Sequence, residues 1–286
     1  NIKKSIWAVA TTCVAFSTIS CDDESTTPET PKKEPFQVLT EVSCQDVISC
    51  KLNYNMGDTL LSAQIKKGMS EVDLTFGYDP LRVWENVSIG LDDYPRNFLN
   101  IEAKKGKIIS MVADKGANAD SILYSYDVDL RVVSSRTVTW KDDATKQVCE
   151  KEYQWDSNKL SKLTITTQTF YGSDSVSAPK LDEYTFSYKM GGGPVVQWQF
   201  CFPIIMGMDF SWSGFADLLY SPKSNDVPYY CKAVHYPDAN DKTSASAEKA
   251  AYSISTSHNK TNSYSIFVSC QEDSGAYWQK EWKLTY

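Results

Sequence analysis

The sequence has little of what a metal centre or a hydrolytic site requires. Its 286 residues include only two histidines, His235 and His258, and no two cysteines spaced as Cys-x-x-Cys, so a zinc site has little support. No Gly-x-Ser-x-Gly motif accompanies His235. The 36 Asp and Glu residues make carboxylate pairs trivially available, so such pairs do not by themselves indicate glycoside hydrolysis. We therefore predict that the protein is not an enzyme and uses no cofactor.

Basic charge and long apolar runs are scarce too. The chain has 29 Lys and Arg against 36 Asp and Glu, a formal charge of −7, and its basic residues are scattered. Scattered basic residues in an acidic chain do not form the basic patch that binds nucleic acid, and they do not attract the chain to anionic lipid headgroups. The uncharged stretch at residues 5–20 is too short and too rich in Ser and Thr to span a hydrocarbon core of ~30 Å. The partners that remain are a membrane reached through a lipid, a glycan or an envelope protein.

The N-terminal residues have the three parts of an export signal. Lys3 and Lys4 precede the uncharged stretch, and small residues lead into Cys21 in the sequence TISCDDE. Thr18 to Cys21 resembles the bacterial lipoprotein signal, in which the chain is cleaved before a cysteine that is then acylated; that motif usually has Leu where Thr18 stands. We predict a signal peptide at residues 1–20 and lipidation of Cys21. A non-lipidated cleavage near this point is the alternative.

The segment after Cys21 is a predicted tether. Residues 21–37 are acidic, rich in Ser, Thr and Pro, and nearly devoid of apolar side chains, so they cannot bury enough surface to fold. Acidic residues directly after a lipidated cysteine look like the export signals of surface lipoproteins in Bacteroidetes-type bacteria. The predicted location is therefore the outer membrane, lipid-anchored and facing the cell surface. A generic charged linker on a periplasm-facing anchor is the alternative.

Residues 38–286 read as a single all-β domain. Apolar residues recur at every second position, as in Tyr184, Phe186, Tyr188 and Met190, with polar residues between them. Successive strand side chains point to opposite faces, so this period indicates sheets with one buried face and one wet face. Residues 58–67 have helix-like ends but alternate in the same way, which favours a strand. We predict an antiparallel meander of hairpins forming a large twisted sheet or a partly closed, water-soluble barrel.

A weak repeat marks the hairpin turns. Tyr126-Asp127 followed by Leu130 is echoed by Trp155-Asp156 followed by Leu160, and more faintly by Tyr78-Asp79 followed by Leu81. Each unit places an aromatic at a strand end, an Asp or Asn that can bond its own backbone, and a Leu that starts the return strand. Calcium ligation by Asp127, Asp129 and Asp156 is the alternative. Their spacing does not assemble the six to eight oxygens that calcium needs, so turn chemistry is favoured.

Three features carry a family resemblance. They are the lipoprotein start, the hairpin YQWDSNKLSKLTI, and the C-terminal part from DLLYSPKSNDVPYY to NSYSIFVSCQEDSGAYWQKEWKLTY. Together they look like an uncharacterised family of Bacteroidetes lipoproteins, described as a domain of unknown function with a porin-like fold. Within the β domain, the resemblance covers residues 107–286. The resemblance implies a β-barrel-like architecture. It supplies no catalytic residues, since none are assigned to that family.

Cysteines and tryptophans supply the remaining candidates. Cys44 and Cys50 are the only close pair and could form a disulfide; reduced thiols acting as small hydrophobes are the alternative. Three tryptophans near turns are candidates for stacking on a ligand such as a sugar: Trp84, Trp212 and Trp278. The tryptophans at alternating positions are predicted to be core: Trp140, Trp155, Trp198 and Trp282.

The sequence thus predicts a lipid-anchored cell-envelope protein with a binding or structural role. The alternatives are a glycan-binding module of a nutrient-uptake system and a carrier of an apolar ligand.

Overall fold

The computed structural model describes most of the chain beyond the predicted tether. The described residues are 40–44, 48–54, 60–67, 70–78, 84–90, 96–104, 107–113, 118–157, 159–173, 175–189, 227–243, 247–260 and 263–285. The chain divides into two units, Asn1–Phe36 and Gln37–Tyr286, and all described residues belong to the second. The predicted signal peptide and Cys21 lie outside the described residues. Within the described part, no helix has the length and apolarity required to cross a membrane.

The described residues form seventeen strands, and the predicted all-β antiparallel fold is confirmed. Residues 58–67, predicted as a strand, contain β3. In chain order the strands are β1 Glu41–Cys44, β2 Ile48–Tyr54, β3 Leu60–Lys67, β4 Ser70–Tyr78, β5 Trp84–Gly90, β6 Arg96–Lys104, β7 Lys107–Ala113, β8 Ser121–Tyr126, β9 Val132–Trp140, β10 Thr145–Asp156, β11 Lys159–Tyr171, β12 Ser175–Val176, β13 Lys180–Ser187, β14 Tyr230–Tyr236, β15 Glu248–Lys260, β16 Ser263–Glu272 and β17 Tyr277–Thr285.

The strands follow one another as a meander. Each described strand pairs antiparallel with the next, except that β11 pairs with both the short β12 and β13. β1 pairs with β2 along one edge and with β17 along the other, so the hydrogen-bonded ladder returns to its first strand. At this junction Val42 lies opposite both Cys50 and Leu284, and Thr40 N donates to Thr285 O at 2.7 Å.

One face of the sheet holds the hydrophobic core, as the period-two pattern predicts. Trp282 at 1% exposure and Phe98 at 0% are the largest of its fully buried side chains. A single cluster of buried residues includes members from both ends of the domain, for example Val42, Cys44, Ile108, Ile122, Leu163, Tyr184, Phe186, Cys231, Tyr252, Val268 and Leu284. We call this side of the sheet the buried face and the other side the solvent face.

The solvent face carries charge where the described strands are long. Arg136 on β9 pairs with Glu150 on β10 at 3.1 Å, and Lys162 on β11 pairs with Glu183 on β13 at 3.2 Å. A lipid-facing row would instead be apolar along the whole strand. The solvent face of β9 to β13 is therefore suited to water.

Trp140 contradicts one prediction. It was predicted to be core, but the register pairs it with Lys146, on the opposite face from the buried Thr137. Lys146 Nζ lies 5.3 Å from the Trp140 ring centroid and 5.4 Å from that of Phe170. The prediction was wrong because alternation shows that every second side chain shares a face, but it does not show which of the two faces is buried. Trp155 and Trp282 do pack in the core, as predicted, and Trp198 lies outside the described residues.

The β8–β9 turn shows the predicted use of aspartate. Asp127 Oδ1 accepts hydrogen bonds from the backbone N–H groups of Asp129 and Arg131, both at 2.9 Å, and Arg131 Nε donates to Asp127 Oδ2 at 2.7 Å. Burial opposes ionisation, but these hydrogen bonds and the Arg131 charge lower the pKa of Asp127 below its usual value. Both carboxylate oxygens of Asp127 therefore accept hydrogen bonds that hold the turn together.

The two strongest turn repeats differ at their leucines. Leu160 is buried next to Lys159, where β11 begins, as predicted. Leu130 instead adopts a left-handed backbone with φ of 61°, and β9 begins only at Val132. Arg131 Nη1 donates to the carbonyl of Ser157, so the two turns are joined.

Candidate functional site

A row of mostly polar residues crosses the buried face. It contains one residue from each of six neighbouring strands, each directly opposite the next. These residues are Ser135 on β9, Lys151 on β10, Ile165 on β11, Asp182 on β13, His235 on β14 and Glu248 on β15. We call these six residues the polar row. With neighbouring strands ~4.8 Å apart, the row extends for about 24 Å across the sheet. The neighbouring row on one side is mainly apolar and contains Tyr153, Leu163, Tyr184, Ala233 and Ala250.

His235 and Asp182 form the best-defined contact of the row. His235 Nδ1 lies 2.8 Å from Asp182 Oδ1, and the two side chains are 34% and 35% exposed. They are direct cross-strand partners on β13 and β14, so two short side chains can meet without distortion. The Tyr184 ring meets the imidazole edge-on, with ring centroids 5.9 Å apart. The pair is therefore fixed in place while part of it remains open to solvent.

Carboxylates surround this histidine. The hydrogen bond with Asp182 is the main cause that raises the pKa of His235; partial burial opposes it, and the charges of Asp182, Glu248 and Glu272 add to it. Glu272 lies opposite Ala250, in the row beside His235. We call His235, Asp182, Glu248 and Glu272 the histidine–carboxylate cluster. Three acids around one base give it a net negative charge even when the imidazole is protonated.

The cluster can accept hydrogen bonds and attract positive charge. In the described part of the chain, Asp182 is the hydrogen-bond partner of the His235 side chain, which leaves the other ring nitrogen for a ligand or water. No group of three or more His, Cys, Asp or Glu among the described residues is arranged to hold a metal ion. Hydroxyl and ammonium groups are the ligand chemistry that this arrangement fits.

The second row from the polar row on the buried face, beyond the row of Tyr184, Ala233 and Ala250, is aromatic and thiol-rich. It runs through Phe186, Cys231, Tyr252, Cys270 and Trp278 on β13 to β17. Burial raises the pKa values of Cys231, Cys270 and Tyr252, so these groups stay neutral. Both cysteines are free thiols, and Tyr252 stands between them. The row is therefore uncharged, in contrast to the polar row.

Of the three tryptophans predicted to bind a ligand, Trp278 is the one the structure describes. It is partly buried against the core, meets Tyr252 edge-on with ring centroids 6.1 Å apart, and has Lys280 Nζ 4.6 Å from its ring centroid. Its ring is therefore engaged within the protein. Trp84 begins β5, but its side chain lies outside the described residues, as does the whole of Trp212.

Cys44 and Cys50 are not bonded to each other in the structure. Both are buried and outside any disulfide, and the register sets Cys44 opposite Ile48 and Cys50 opposite Val42. Burial, helped by the charge of Glu41, raises the pKa of Cys50 to about 12. A disulfide forms through a thiolate, so this environment slows its formation. The disulfide stays a prediction.

Sequence reasoning noted His235 but missed its partners. Asp182 and Glu248 looked like ordinary acids, although Asp182 shares the phase of the core residues Tyr184 and Phe186. This spacing could have identified Asp182, because a carboxylate two or four positions from a core aromatic on one strand lies on the same face as that aromatic. Lys151 has the same signal, since it shares the phase of Tyr153 and Trp155 on β10.

Comparison with known proteins adds one finding. No family model matches the chain, and no curated protein matches it. Among solved structures, the chain is similar to a porin-like protein from Bacteroides uniformis, with 13% sequence identity over 87% of this chain and 94% of that one and a TM-score of 0.45. The resemblance to a family of Bacteroidetes lipoproteins stays a prediction.

Proposed function

We propose that this chain is a lipid-anchored protein of the bacterial cell envelope whose β domain acts by binding, with no chemistry of its own. The anchoring half rests on the sequence around Cys21 and on the acidic tether that follows it. One acyl chain gives marginal membrane binding, so a stable anchor requires more than one chain on this cysteine. Outer-membrane location with the domain facing the cell surface is part of the same proposal.

The observation that supports the binding half of the proposal is the partly exposed His235–Asp182 contact on the buried face. Polar groups on a buried face are costly unless they are hydrogen-bonded, and these two satisfy one another. Each still exposes about a third of its side chain, with two further carboxylates nearby. A ligand with donor groups can therefore reach acceptors that are already held in position.

The negative charge of the cluster limits the chemical class of ligand that it can bind. Three carboxylates repel an anion and accept hydrogen bonds from hydroxyl or ammonium groups. A neutral glycan is the candidate that also accords with tryptophans such as Trp84 and Trp212, so a glycan-binding module of a nutrient-uptake system is the second proposal. In that proposal the cluster holds sugar hydroxyls.

Metabolic labelling with an alkyne analogue of palmitate tests the anchor. We expect the wild-type chain, expressed in a Bacteroidetes host, to carry the label and to fractionate with the outer membrane. Cys21→Ala is expected to abolish labelling, whereas Cys149→Ala, the matched control, retains it. Equal labelling of wild type and Cys21→Ala, or soluble release of both, would refute the anchor.

A panel of neutral polysaccharides, immobilised and probed with the purified chain, tests the binding site. We expect retention on at least one member, reduced at least about tenfold by Asp182→Asn because a charged acceptor is lost. Lys232→Gln, an exposed substitution on β14, is the control and is expected to bind as the wild type does. Retention that is the same for Asp182→Asn and wild type would reject this cluster as the glycan site.

A further inference from the structure

Three side chains form a short row on the solvent face, close to the β9–β10 turn. Trp140 on β9 lies directly opposite Lys146 on β10, and Lys146 lies directly opposite Phe170 on β11. Lys146 and Phe170 are an odd number of positions away from the buried Lys151 and Ile165 on their own strands, which places both on the opposite face. We call Trp140, Lys146 and Phe170 the outer row.

One ammonium group lies between two aromatic rings in this row. Lys146 Nζ is 5.3 Å from the Trp140 ring centroid and 5.4 Å from the Phe170 ring centroid. Since β9 and β11 are separated by two strand spacings, the two rings lie about 10 Å apart. The cation–π contacts with Lys146 hold the rings at this separation.

The two rings are partly open to solvent and have no place in the core. Trp140 and Phe170 are each partly buried, and neither is among the hydrophobic residues that form the core cluster or pack against it. Trp278 differs from them, because it packs against the core and meets Tyr252. Partly exposed aromatic side chains grouped on one surface indicate a contact site for a ligand.

The chemistry of the outer row fits a chain of sugars. The C–H groups on one side of a sugar ring pack against an aromatic ring, and an ammonium group donates hydrogen bonds to sugar hydroxyls. In an extended β-1,4-linked chain every second sugar presents the same side. Two such sugars are separated by the length of one disaccharide, which is comparable with the separation of the two rings.

From this arrangement we propose that the outer row binds three consecutive sugars of an extended, neutral β-1,4-linked glycan. Trp140 and Phe170 stack on the first and the third sugar, and Lys146 donates hydrogen bonds to hydroxyl groups of the second. An α-1,4-linked chain curves, so it does not bring its first and third sugars onto both rings. Single-stranded nucleic acid also binds aromatic rings beside cations, but a chain with a formal charge of −7 repels it.

This site is separate from the one in the proposed function. The outer row lies on the solvent face, whereas the histidine–carboxylate cluster lies on the buried face. The two sites share a ligand class and no residue, so glycan binding can fail at Asp182 and hold at Trp140, or the reverse. The proposal does not depend on the anchor at Cys21.

Calorimetric titration of the purified full-length chain tests the proposal, with three probes of equal length. Cellohexaose is an extended β-1,4-linked chain, maltohexaose is the α-1,4-linked chain of the same sugar, and a thymidine hexanucleotide is a single-stranded nucleic acid. We expect saturable binding of cellohexaose, about tenfold or more tighter than that of maltohexaose, because only the extended chain stacks on both rings. The hexanucleotide is expected not to bind measurably.

Three variants identify the residues. Trp140→Ala and Phe170→Ala should each weaken cellohexaose binding about tenfold or more, because each removes one stacked ring. Lys146→Met keeps an unbranched side chain between the rings and removes the donor, so it should weaken binding by a smaller factor, about threefold to tenfold. Tyr277→Ala is the matched control: Tyr277 is an aromatic residue of β17 that is 61% exposed, and its removal should leave binding unchanged.

Four results would overturn the proposal. They are an absence of cellohexaose binding to the wild type, equal affinities for cellohexaose and maltohexaose, undiminished binding by both Trp140→Ala and Phe170→Ala, and binding of the hexanucleotide that the same two variants weaken. Loss of cellohexaose binding in Asp182→Asn alone would place the glycan at the histidine–carboxylate cluster and reject the outer row. If circular dichroism shows that Trp140→Ala does not fold, Phe170→Ala decides the question by itself.

Discussion

The two faces of β10 give the same residue opposite environments. Lys151 lies on the buried face and is 3% exposed, whereas Lys146 lies on the solvent face above the rings of Trp140 and Phe170. The first lies between the buried Ser135 and Ile165, and the second forms cation–π contacts with the Trp140 and Phe170 rings. The phase of the strand, and not the residue type, decides which of these environments a side chain enters.

The tryptophans show the same contrast. Trp282 on β17 is 1% exposed within the core, and its Nε1 has no hydrogen-bond partner in the part of the chain that the structure describes. Trp140 on β9 lies on the solvent face. If the two faces differ as described, identical substitutions on them must differ in cost. Three measurements examine this difference, in order of expected effect.

The largest effect is expected for tryptophan. Trp282→Ala should lower the free energy of unfolding by about 3–5 kcal/mol, because it leaves a large cavity in the core. Trp140→Ala should lower it by about 1 kcal/mol, mainly through the lost contact with Lys146. Urea unfolding followed by far-ultraviolet circular dichroism measures both values. Similar losses would mean that the solvent face is as well packed as the core.

Valine gives a finer comparison. Val268 at 0% and Val148 at 7% exposure are both buried, but Val148 lies on the solvent face, outside the core cluster. We expect Val268→Ala to cost about 2–3 kcal/mol and Val148→Ala about 1 kcal/mol, since the second site can partly fill with water. Urea unfolding of the two variants measures both free energies. A larger loss for Val148→Ala would reveal a second core around it.

The smallest effect is a pH dependence at the exposed end of the polar row. The pKa of His235 is raised in the folded protein by the hydrogen bond with Asp182. Its stabilising contribution is therefore fully present below the unfolded value of about 6.5 and is lost as the pH rises through the folded value. Solvent screening of this partly exposed pair limits the contribution to a few tenths of a kcal/mol.

Asp182→Asn isolates this contribution. In an NMR titration the variant should show a lower pKa for the His235 ring than the wild type. The difference in urea midpoint between pH 5.5 and pH 8.5 should shrink as well. Lys232→Gln, which leaves the pair intact, should reproduce the wild-type titration. An unchanged His235 pKa in Asp182→Asn would show that the contact does not set it.

Much of the fold could be predicted because alternation is a local property. Tyr184, Phe186 and Trp282 occupy the face that their spacing predicts, and β3 is a strand where helix-like ends competed with alternation. Phase is not local, since it depends on which neighbours cover a strand. Trp140 was therefore misplaced. Leu130 was misjudged for a related reason: the Asp127–Arg131 contacts close the turn before the chain can resume a strand.

The candidate site could be predicted less well. His235 and Asp182 are 53 positions apart in the sequence, and only the register of β13 against β14 brings them together. Lys151 follows Glu150 and precedes Glu152, so by composition it resembles a solvated lysine. Its burial results from alternation on β10 combined with the neighbours that the register places beside it, Ser135 and Ile165. Neither pairing across strands nor burial can be calculated from one strand alone.

The pairing of β1 with β17 has a consequence for how the domain is made. Thr40 and Thr285 are hydrogen-bonded across a sequence separation of 245 residues, and β1 receives one of its two neighbours from the final described strand. Contacts of such long range slow folding, because the entropy of closing a long loop is lost before the contacts stabilise it. A growing chain keeps the edges of β1 and β16 unsatisfied until β17 has been synthesised, and open edges of this kind invite association with other chains. The strand order thus leaves these edges open to other chains until β17 has paired.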